Sequence, residues 1–312
     1  REGWIVELER EVLGARFACG PAPACSELDT PCGDATTHAL GIGRRPGRMV
    51  LRARYAMTLC GSEEAARMGL LRGLKIDSAV VPSGTAVEPG TPLLTLSGRA
   101  ADLHRVWKPA QTLMEYAGGI ASATAELLAA ARRGNPLVRV ACTRKHLPGS
   151  KSLSVKAILC GGAAPHRLGI SDTLLVFAEH RAFLDDLPPD QAVARLKQAW
   201  PERQVVVEVA SADEAALWMD AGADVIQLEK CSPEVVAQVV ARAGTRHCQI
   251  AVAGGVNAGN AQAYAATGAQ ILVSPKVFVF GEYRYFSANY HWDSLAVDFR
   301  AHYGIFGVGL RF

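Results

Sequence analysis

Arg144, Lys145, His166 and Arg167, all able to carry positive charge, stand at two points of one short stretch, TRKHLPGSKSLSVKAILCGGAAPHRLGISDTLLVF. Arg144 and Lys145 follow Thr143 at the end of an apolar run, and His166 and Arg167 follow a Gly-Gly pair one short helix later. Arginine offers a planar two-pronged donor and lysine a mobile point charge, so this cluster suits a carboxylate or a phosphate. Scattered over a loop, the same groups would be ordinary solvated charge. Their position at the end of a buried run favours an anion site.

The composition limits what such a site serves. In 312 residues, Lys and Arg number 33 against 30 Asp and Glu, a net charge of +3. That is too near balance to draw nucleic acid or anionic lipid non-specifically, so anion handling is local and neither is expected as a partner. Hydrophobic residues at 49% and charged residues at 20% are ordinary for a globular chain and exclude disorder and fibrous repeats. No run of about 18 apolar residues occurs, and the start REGWIVELERE lacks the pattern of a signal peptide, which predicts a cytoplasmic protein without a membrane span. Eight cysteines without CxxC or Cys/His metal spacing predict reduced thiols in packed positions.

The elements that must position the cluster change rhythm near residue 132. Residues 1–27 form an N-terminal extension whose short amphipathic stretch is stopped by ACGPAPAC. Residues 28–131 predict a small sheet domain: RMVLRARYAM, KIDSAVV and TPLLTLSG are β-rich, PSGTAVEPGTP supplies turns, and SEEAARMGLLRGL is a helix. A long helical pattern follows over about Leu103 to Ala131, where Gly118 and Gly119 mark either a close contact or a kink.

Six short apolar runs then alternate with helix-length segments, at 138–142, 173–178, 204–210, 223–228, 249–254 and 269–274. Continuous apolar runs of this kind are parallel strands buried on both faces, in an α/β barrel or a doubly wound sheet. No Rossmann glycine fingerprint follows the first run, and polar residues stand at the runs' C-terminal ends. Both features favour a barrel over 132–275 with its site at that face. Residues 276–312 form an aromatic-rich tail, with 11 of the chain's 21 aromatic residues between Phe278 and Phe312. The alternating apolar positions Phe306, Val308, Leu310 and Phe312 resemble the C-terminal assembly signal of outer-membrane β-barrels. The tail is either foreign to the barrel or a genuine aromatic hairpin, and it is too short to form a pore.

The motifs GDATT at 33–37, TRK-x-x-PG, CGG-x-x-x-HRLG-x-SD, VEV and the AGG loop together resemble the quinolinate (nicotinate-nucleotide) phosphoribosyltransferase family over residues 28–275. Within it the chain is most similar to the ModD pyrophosphorylase branch associated with molybdate transport. The resemblance implies an N-terminal open α/β sandwich, an incomplete α/β barrel of parallel strands, and a homodimer with shared active sites. It implies that Arg144, Lys145, His166 and Arg167 hold an acidic base substrate and the phosphates of phosphoribosyl pyrophosphate. Glu208 in VEV and Glu229 in QLEK would lie near the ribose and hold Mg²⁺ directly or indirectly, and with Lys145 they are the candidate catalytic residues. Gly254, Gly255 and Ser274 correspond to the 5′-phosphate loop, where missing side chains let backbone N–H groups approach the oxygens with the following helix N-terminus behind them. Without a ligand, the two glycines would serve as a tight strand-to-helix turn. Lys108 on the long helix corresponds to a residue contributed to the other subunit's site.

Several positions depart from the family pattern. Phe177 stands where quinolinate enzymes carry Lys, Lys108 replaces Arg, Glu229 replaces the usual Asp, and Ser274 replaces a glycine. His180 in AEH is expected as an inward structural histidine. Quinolinate bears two carboxylates, so exchanging a cation for an apolar ring removes pairing that a buried dianion needs. The expected function is therefore transfer of phosphoribose, with release of pyrophosphate through an oxocarbenium-like transition state, to a heterocyclic acceptor other than quinolinate. The alternatives are a quinolinate phosphoribosyltransferase of NAD biosynthesis, a non-enzymatic module that binds an anion or nucleotide, and an outer-membrane protein, the last resting on the tail alone.

Overall fold

The computed structural model describes residues 33–273 except 185 and 245, together with the backbone of strands at 276–292 and 295–311. The extension predicted for 1–27, and the site position Ser274, lie outside the described residues. Helix α1 (Ala35–Ala39) shows what GDATT does locally. The Asp34 carboxylate accepts the amides of Thr36 and Thr37 at 3.0 and 3.1 Å and the Thr37 hydroxyl at 2.6 Å, satisfying donors that open a helix.

The N-terminal layer is a three-stranded antiparallel sheet ordered β1 (Pro46–Arg52), β5 (Pro92–Arg99), β3 (Lys75–Ile76), beside a small pair, β2 (Met57–Thr58) and β4 (Ala86–Val87). Helix α2 (Ser62–Leu71) lies on the sheet, burying Ala65, Ala66 and Met68. At Gly69 a Cβ would meet Leu96 Cδ2 at 2.9 Å, so the absent side chain lets helix and sheet close up. This is the open sandwich.

Helix α3 (Ala100–Gly134) exceeds the predicted span by about a turn at each end and runs through Pro109. Its buried positions Leu103, Val106, Ala110, Leu113, Ala117, Ala121, Thr124, Leu128 and Ala131 recur at three and four residues, one stripe of a helix. Gly118 is a close contact: a Cβ there would collide with Met57 and stand 3.6 Å from the Thr58 carbonyl.

The second layer is a seven-stranded parallel sheet ordered β7 (Ala164–Pro165), β6 (Val140–Cys142), β12 (Gln270–Val273), β11 (Gln249–Ala253), β10 (Val225–Glu229), β9 (Val205–Val209), β8 (Leu174–Val176). β7 and β8 are consecutive in the chain yet occupy opposite edges. The strands thus wind around an incomplete barrel that is open between those two, and the doubly wound alternative is set aside. Helices α4 (Lys151–Cys160), α5 (Ala178–Arg181), α6 (Pro189–Ala199), α7 (Ala212–Asp220), α8 (Pro233–Ala243) and α9 (Ala261–Ala266) intervene. β7 was not anticipated, because two residues including a proline carry no periodicity.

The tail is a separate unit of two antiparallel strands, β13 (Lys276–Trp292) and β14 (Leu295–Arg311), in register from Trp292 opposite Leu295 to Lys276 opposite Arg311. Phe306, Val308 and Leu310 are paired with Gly281, Val279 and Val277. Among the described residues, no helix is long and apolar enough to cross a membrane.

An ion cluster joins the layers. Lys156 of α4, with its side chain 6% exposed, donates to Glu63 at 2.9 Å and to both oxygens of Glu64 at 2.8 and 2.9 Å. Burial pushes the Glu63 carboxyl up, but the Ser83 hydroxyl and amide and the Lys156 ammonium outweigh it and hold Glu63 at about 2, against an ordinary 4.5. A carboxyl depressed on folding contributes stability above its unfolded value and loses it as pH falls through the folded one. Glu63→Gln is therefore expected to flatten the fall in stability between about pH 4.5 and 2. Urea midpoints of the two proteins across that range check this.

Candidate active site

Strand register decides which side chains turn into the barrel. Gln227 is paired with Glu208 on one side and Ala251 on the other, and Glu229 with Ala253. Ala253 is paired with Leu272, and Leu272 with Ala141. Alternate residues of a strand share a face, so these side chains line one surface. It is the interior: Ala251, Ala253 and Leu272 form a buried cluster against Ala141 and Val225, while the opposite face carries fully buried residues such as Ile226, Leu228, Val207 and Ile271 under the helices. Small alanines on β11 leave room for longer polar chains from β9 and β10. By the same alternation His166 is in step with Ala164 and Ala141, and Phe177 with Leu175 and Val206.

The carboxylates and Lys145 act on one another. Burial and then the Glu229 charge push the Glu208 carboxyl up, with Glu179 adding to the rise, and the Gln227 amide and Lys145 oppose it. Gln227 is 5% exposed and donates its Nε2–H to Glu208 Oε2. The cations cluster beside them, since Arg144 and Lys145 are adjacent in the chain. Arg167 is 9% exposed; burial and then the Arg144 charge depress its guanidinium, and Asp172 partly offsets them. Its Cζ stands 5.6 Å from the centre of the Phe177 ring, within the range of a cation–π contact. Burial and then Arg167 lower the His166 imidazole, keeping it neutral at physiological pH.

The glycine loop closes the mouth. Gly254 and Gly255 have φ of +78° and +82°, and a Cβ on Gly254 would lie 2.6 Å from Glu229 Oε1 and 2.8 Å from Lys230 Cγ. Glycine at 254 thus serves both the turn and the carboxylate's position. Lys230 itself takes φ of 56°, a strained value for a side-chain-bearing residue, while its amide donates to the Ala253 carbonyl at 2.8 Å. Asn260 Nδ2 donates to the Gly255 carbonyl at 3.0 Å, and Asn260 Oδ1 accepts the Asn257 amide at 2.8 Å. Helix α9 has only six residues, so this asparagine network, more than a helix terminus, shapes the loop.

Arg144, Lys145, His166, Arg167, Glu208, Glu229, Gly254 and Gly255 therefore surround one mouth at the C-terminal ends of the strands. Lys108 does not join them: it is exposed on α3, with its ammonium over the Trp107 ring at 4.3 Å and 3.3 Å from Gln111 Oε1. His180 is structural but exposed, not inward; its Nδ1 accepts the Phe177 amide at 3.0 Å and its ring stacks on Phe177 at 5.8 Å. Sequence reasoning missed Gln227, Glu179, Lys230 and the two asparagines. Only Gln227 left a signal, an amide inside the apolar run VIQLE. Among the described residues, the buried side-chain polar atoms without a partner are Thr143 Oγ1, Thr173 Oγ1 and Gln227 Oε1, all in step with interior positions.

Residues 34–118 match the family described as "Quinolinate phosphoribosyl transferase, N-terminal domain", and residues 120–277 match its C-terminal domain. "Putative pyrophosphorylase ModD" of Rhodobacter capsulatus is 48% identical over 234 residues, covering 75% of this chain and 90% of that protein. The protein of the same name from Pasteurella multocida is 38% identical over 246 residues, covering 78% and 86%. The solved nicotinate-nucleotide pyrophosphorylase of Francisella tularensis superposes with a TM-score of 0.73 at 21% identity, over 81% of this chain and 88% of that one, a likeness of fold.

Gln227 favours the ionised form of Glu208. Gln227→Leu is expected to raise the Glu208 titration further, since burial and Glu229 then act without the opposing amide. A pH titration of the Glu208 carboxyl carbon by NMR in both proteins checks the direction.

Proposed function

The chain belongs to the quinolinate phosphoribosyltransferase family, and from that premise we propose that it transfers phosphoribose from phosphoribosyl pyrophosphate to a heterocyclic acceptor other than quinolinate, as a ModD-like pyrophosphorylase. The observation that carries this reading is the mouth itself, where a cationic group formed by Arg144, Lys145 and Arg167 adjoins the carboxylates Glu208 and Glu229, with Phe177 set against Arg167. The cations hold the phosphates. The carboxylates face the sugar, where positive charge develops as the bond from the anomeric carbon to pyrophosphate breaks and a ring nitrogen attacks.

The residues fit Mg²⁺. Glu208 is pushed up partly by Glu229, a repulsion that a cation between them would relieve. Mg²⁺ commonly takes one or two carboxylates and completes its shell with substrate phosphates and water, and Glu208 and Glu229 would supply the carboxylates here. When bound, Mg²⁺ would neutralise the departing pyrophosphate. A homodimer in the cytoplasm, with Lys108 of each subunit serving the other's mouth, completes the reading.

Phe177 decides the acceptor. Its ring lies against the one buried guanidinium of the mouth, so a second carboxylate of the acceptor would face an apolar surface there. The quinolinate alternative draws on the cations that remain, Arg144, Lys145 and Arg167.

Pyrophosphate release, measured with a panel of heterocyclic acids and bases that includes quinolinate, tests the proposal. Turnover of another acceptor with little nicotinate mononucleotide from quinolinate is expected; efficient quinolinate turnover would replace this acceptor class with the alternative. If calorimetry shows no binding of phosphoribosyl pyrophosphate with Mg²⁺, the enzymatic reading fails altogether. Two variants sharpen the test. Arg144→Ala is expected to weaken phosphoribosyl pyrophosphate binding by about 1.5–3 kcal/mol in calorimetry, the usual worth of a hydrogen bond to a charged group. Phe177→Lys is expected to raise quinolinate turnover by about tenfold or more, as one restored charge-assisted contact of that size implies.

A further inference from the structure

The two helix ends that Lys156 clamps together each carry a cysteine. Cys60 immediately precedes Gly61, the residue that caps α2, and Cys160 is the last residue of α4. Lys156 stands four residues before Cys160, on the same side of α4, and its ammonium is bound by Glu63 and Glu64 in the first turn of α2. The backbone brings the same ends together independently. The Leu59 carbonyl accepts the Gly84 amide at 2.7 Å, and a Cβ on Gly84 would lie 3.9 Å from the Cys160 carbonyl oxygen and 4.0 Å from its Cα. The two thiols stand near enough for each to shift the titration of the other. Cys60 is fully buried and Cys160 is partly exposed, so one sulfur is reachable and the other waits behind it.

Their chemistry is divided in the same way. The thiolate is the nucleophilic form of cysteine. Burial pushes Cys142 up to about 11 and also raises Cys231 and Cys248. Cys160 alone among the described cysteines moves down, through the neighbouring Cys60 thiol and, against its burial, the Lys156 charge. Cys60 moves up, by the neighbouring Cys160 thiol and by burial, and so keeps its proton.

We propose that Cys60 and Cys160 form a reversible oxidation site that takes a hydroperoxide as its oxidant and closes to an intramolecular disulfide. The Cys160 thiolate attacks the terminal oxygen of the hydroperoxide; an S–O bond forms, the O–O bond breaks, and the departing alkoxide takes a proton from water. The Cys60 sulfur then attacks the Cys160 sulfenic acid. An S–S bond forms, the S–O bond breaks, and hydroxide leaves as water with the proton of Cys60. Two thiols lose two electrons and the peroxide gains them. The bond ties the start of α2 to the end of α4, the helix that lies between Arg144–Lys145 and His166–Arg167. It rests on the helix junction and is independent of the acceptor or of catalysis.

The test treats the full chain with tert-butyl hydroperoxide, blocks remaining thiols with iodoacetamide and maps the peptides by mass spectrometry. The expected result is a linked peptide pair carrying Cys60 and Cys160, with loss of two hydrogens from the intact mass and reversal by dithiothreitol. Cys60→Ser should leave Cys160 as a sulfenic acid that dimedone traps, and Cys160→Ser should abolish both the link and the dimedone adduct. Recovery of Cys60 and Cys160 as alkylated thiols after oxidation, or a link from Cys160 to a different cysteine, would overturn the proposal. Mapping of the unsubstituted chain decides the matter even if a serine variant fails to fold.

Discussion

Two half-buried carboxylates set side by side resist being charged together, and the barrel mouth is organised around that repulsion. Glu208 and Glu229 come from adjacent strands at positions that point to the same side, and the Glu229 charge raises the cost of ionising Glu208. Left alone, such a pair would keep a proton. Here Lys145 and the Gln227 amide pull Glu208 back toward the charged state. The balance is set by strand register: a shift of one residue in β10 would send Gln227 and Glu229 outward beneath the helices and bring Ile226 and Leu228 inward.

The same constraint explains features that look incidental one at a time. Gly254 cannot carry a side chain because Glu229 occupies that space, and Lys230 accepts a strained backbone so that its amide can continue the pairing with Ala253. The alanines at 251 and 253 forgo the bulky filling usual in a barrel interior, which leaves a recess where charged groups can gather. Thr143, Thr173 and Gln227 each turn an unpaired polar atom toward it. Unpaired buried polar groups are costly, and they are commonly kept where a site needs them. The recess therefore carries more polar capacity than the protein itself satisfies.

Much of this was legible in the sequence, for identifiable reasons. Buried parallel strands are continuous apolar runs, so VVVEV and VIQLE announce both their strands and the charged residues that interrupt them. The long helix was legible from its stripe at three and four residues, whereas at Gly118 a close contact and a kink were both open until the packing against Met57 decided for the contact. Groups acting through space were not legible. Glu179 belongs to a helix of four residues that leaves no period, and its closeness to Glu208 follows only from how β8 and β9 lie side by side. Nor does a sequence show that Asn257 and Asn260 grip one loop, since asparagines near glycine are common in any turn. His180 looked like an inward structural histidine and is an outward one, because its hydrogen bond to the Phe177 amide needs the helix start and leaves the far edge of the ring to solvent.

Phe177 alters the electrostatics of the mouth by more than one charge. A lysine there would repel Arg167, which burial and Arg144 already depress, and only a bound dianion would make three such cations tolerable. An aromatic ring attracts the same guanidinium, so Arg167 is steadied without a ligand present. A ring at 177 thus leaves Arg167 with one positive neighbour fewer than a lysine would. Arg144 and Lys145 come from the end of a different strand, β6. A residue at the end of β8 can therefore set the electrostatics beside Arg167 without displacing Arg144 and Lys145, because these side chains come from different parts of one rim.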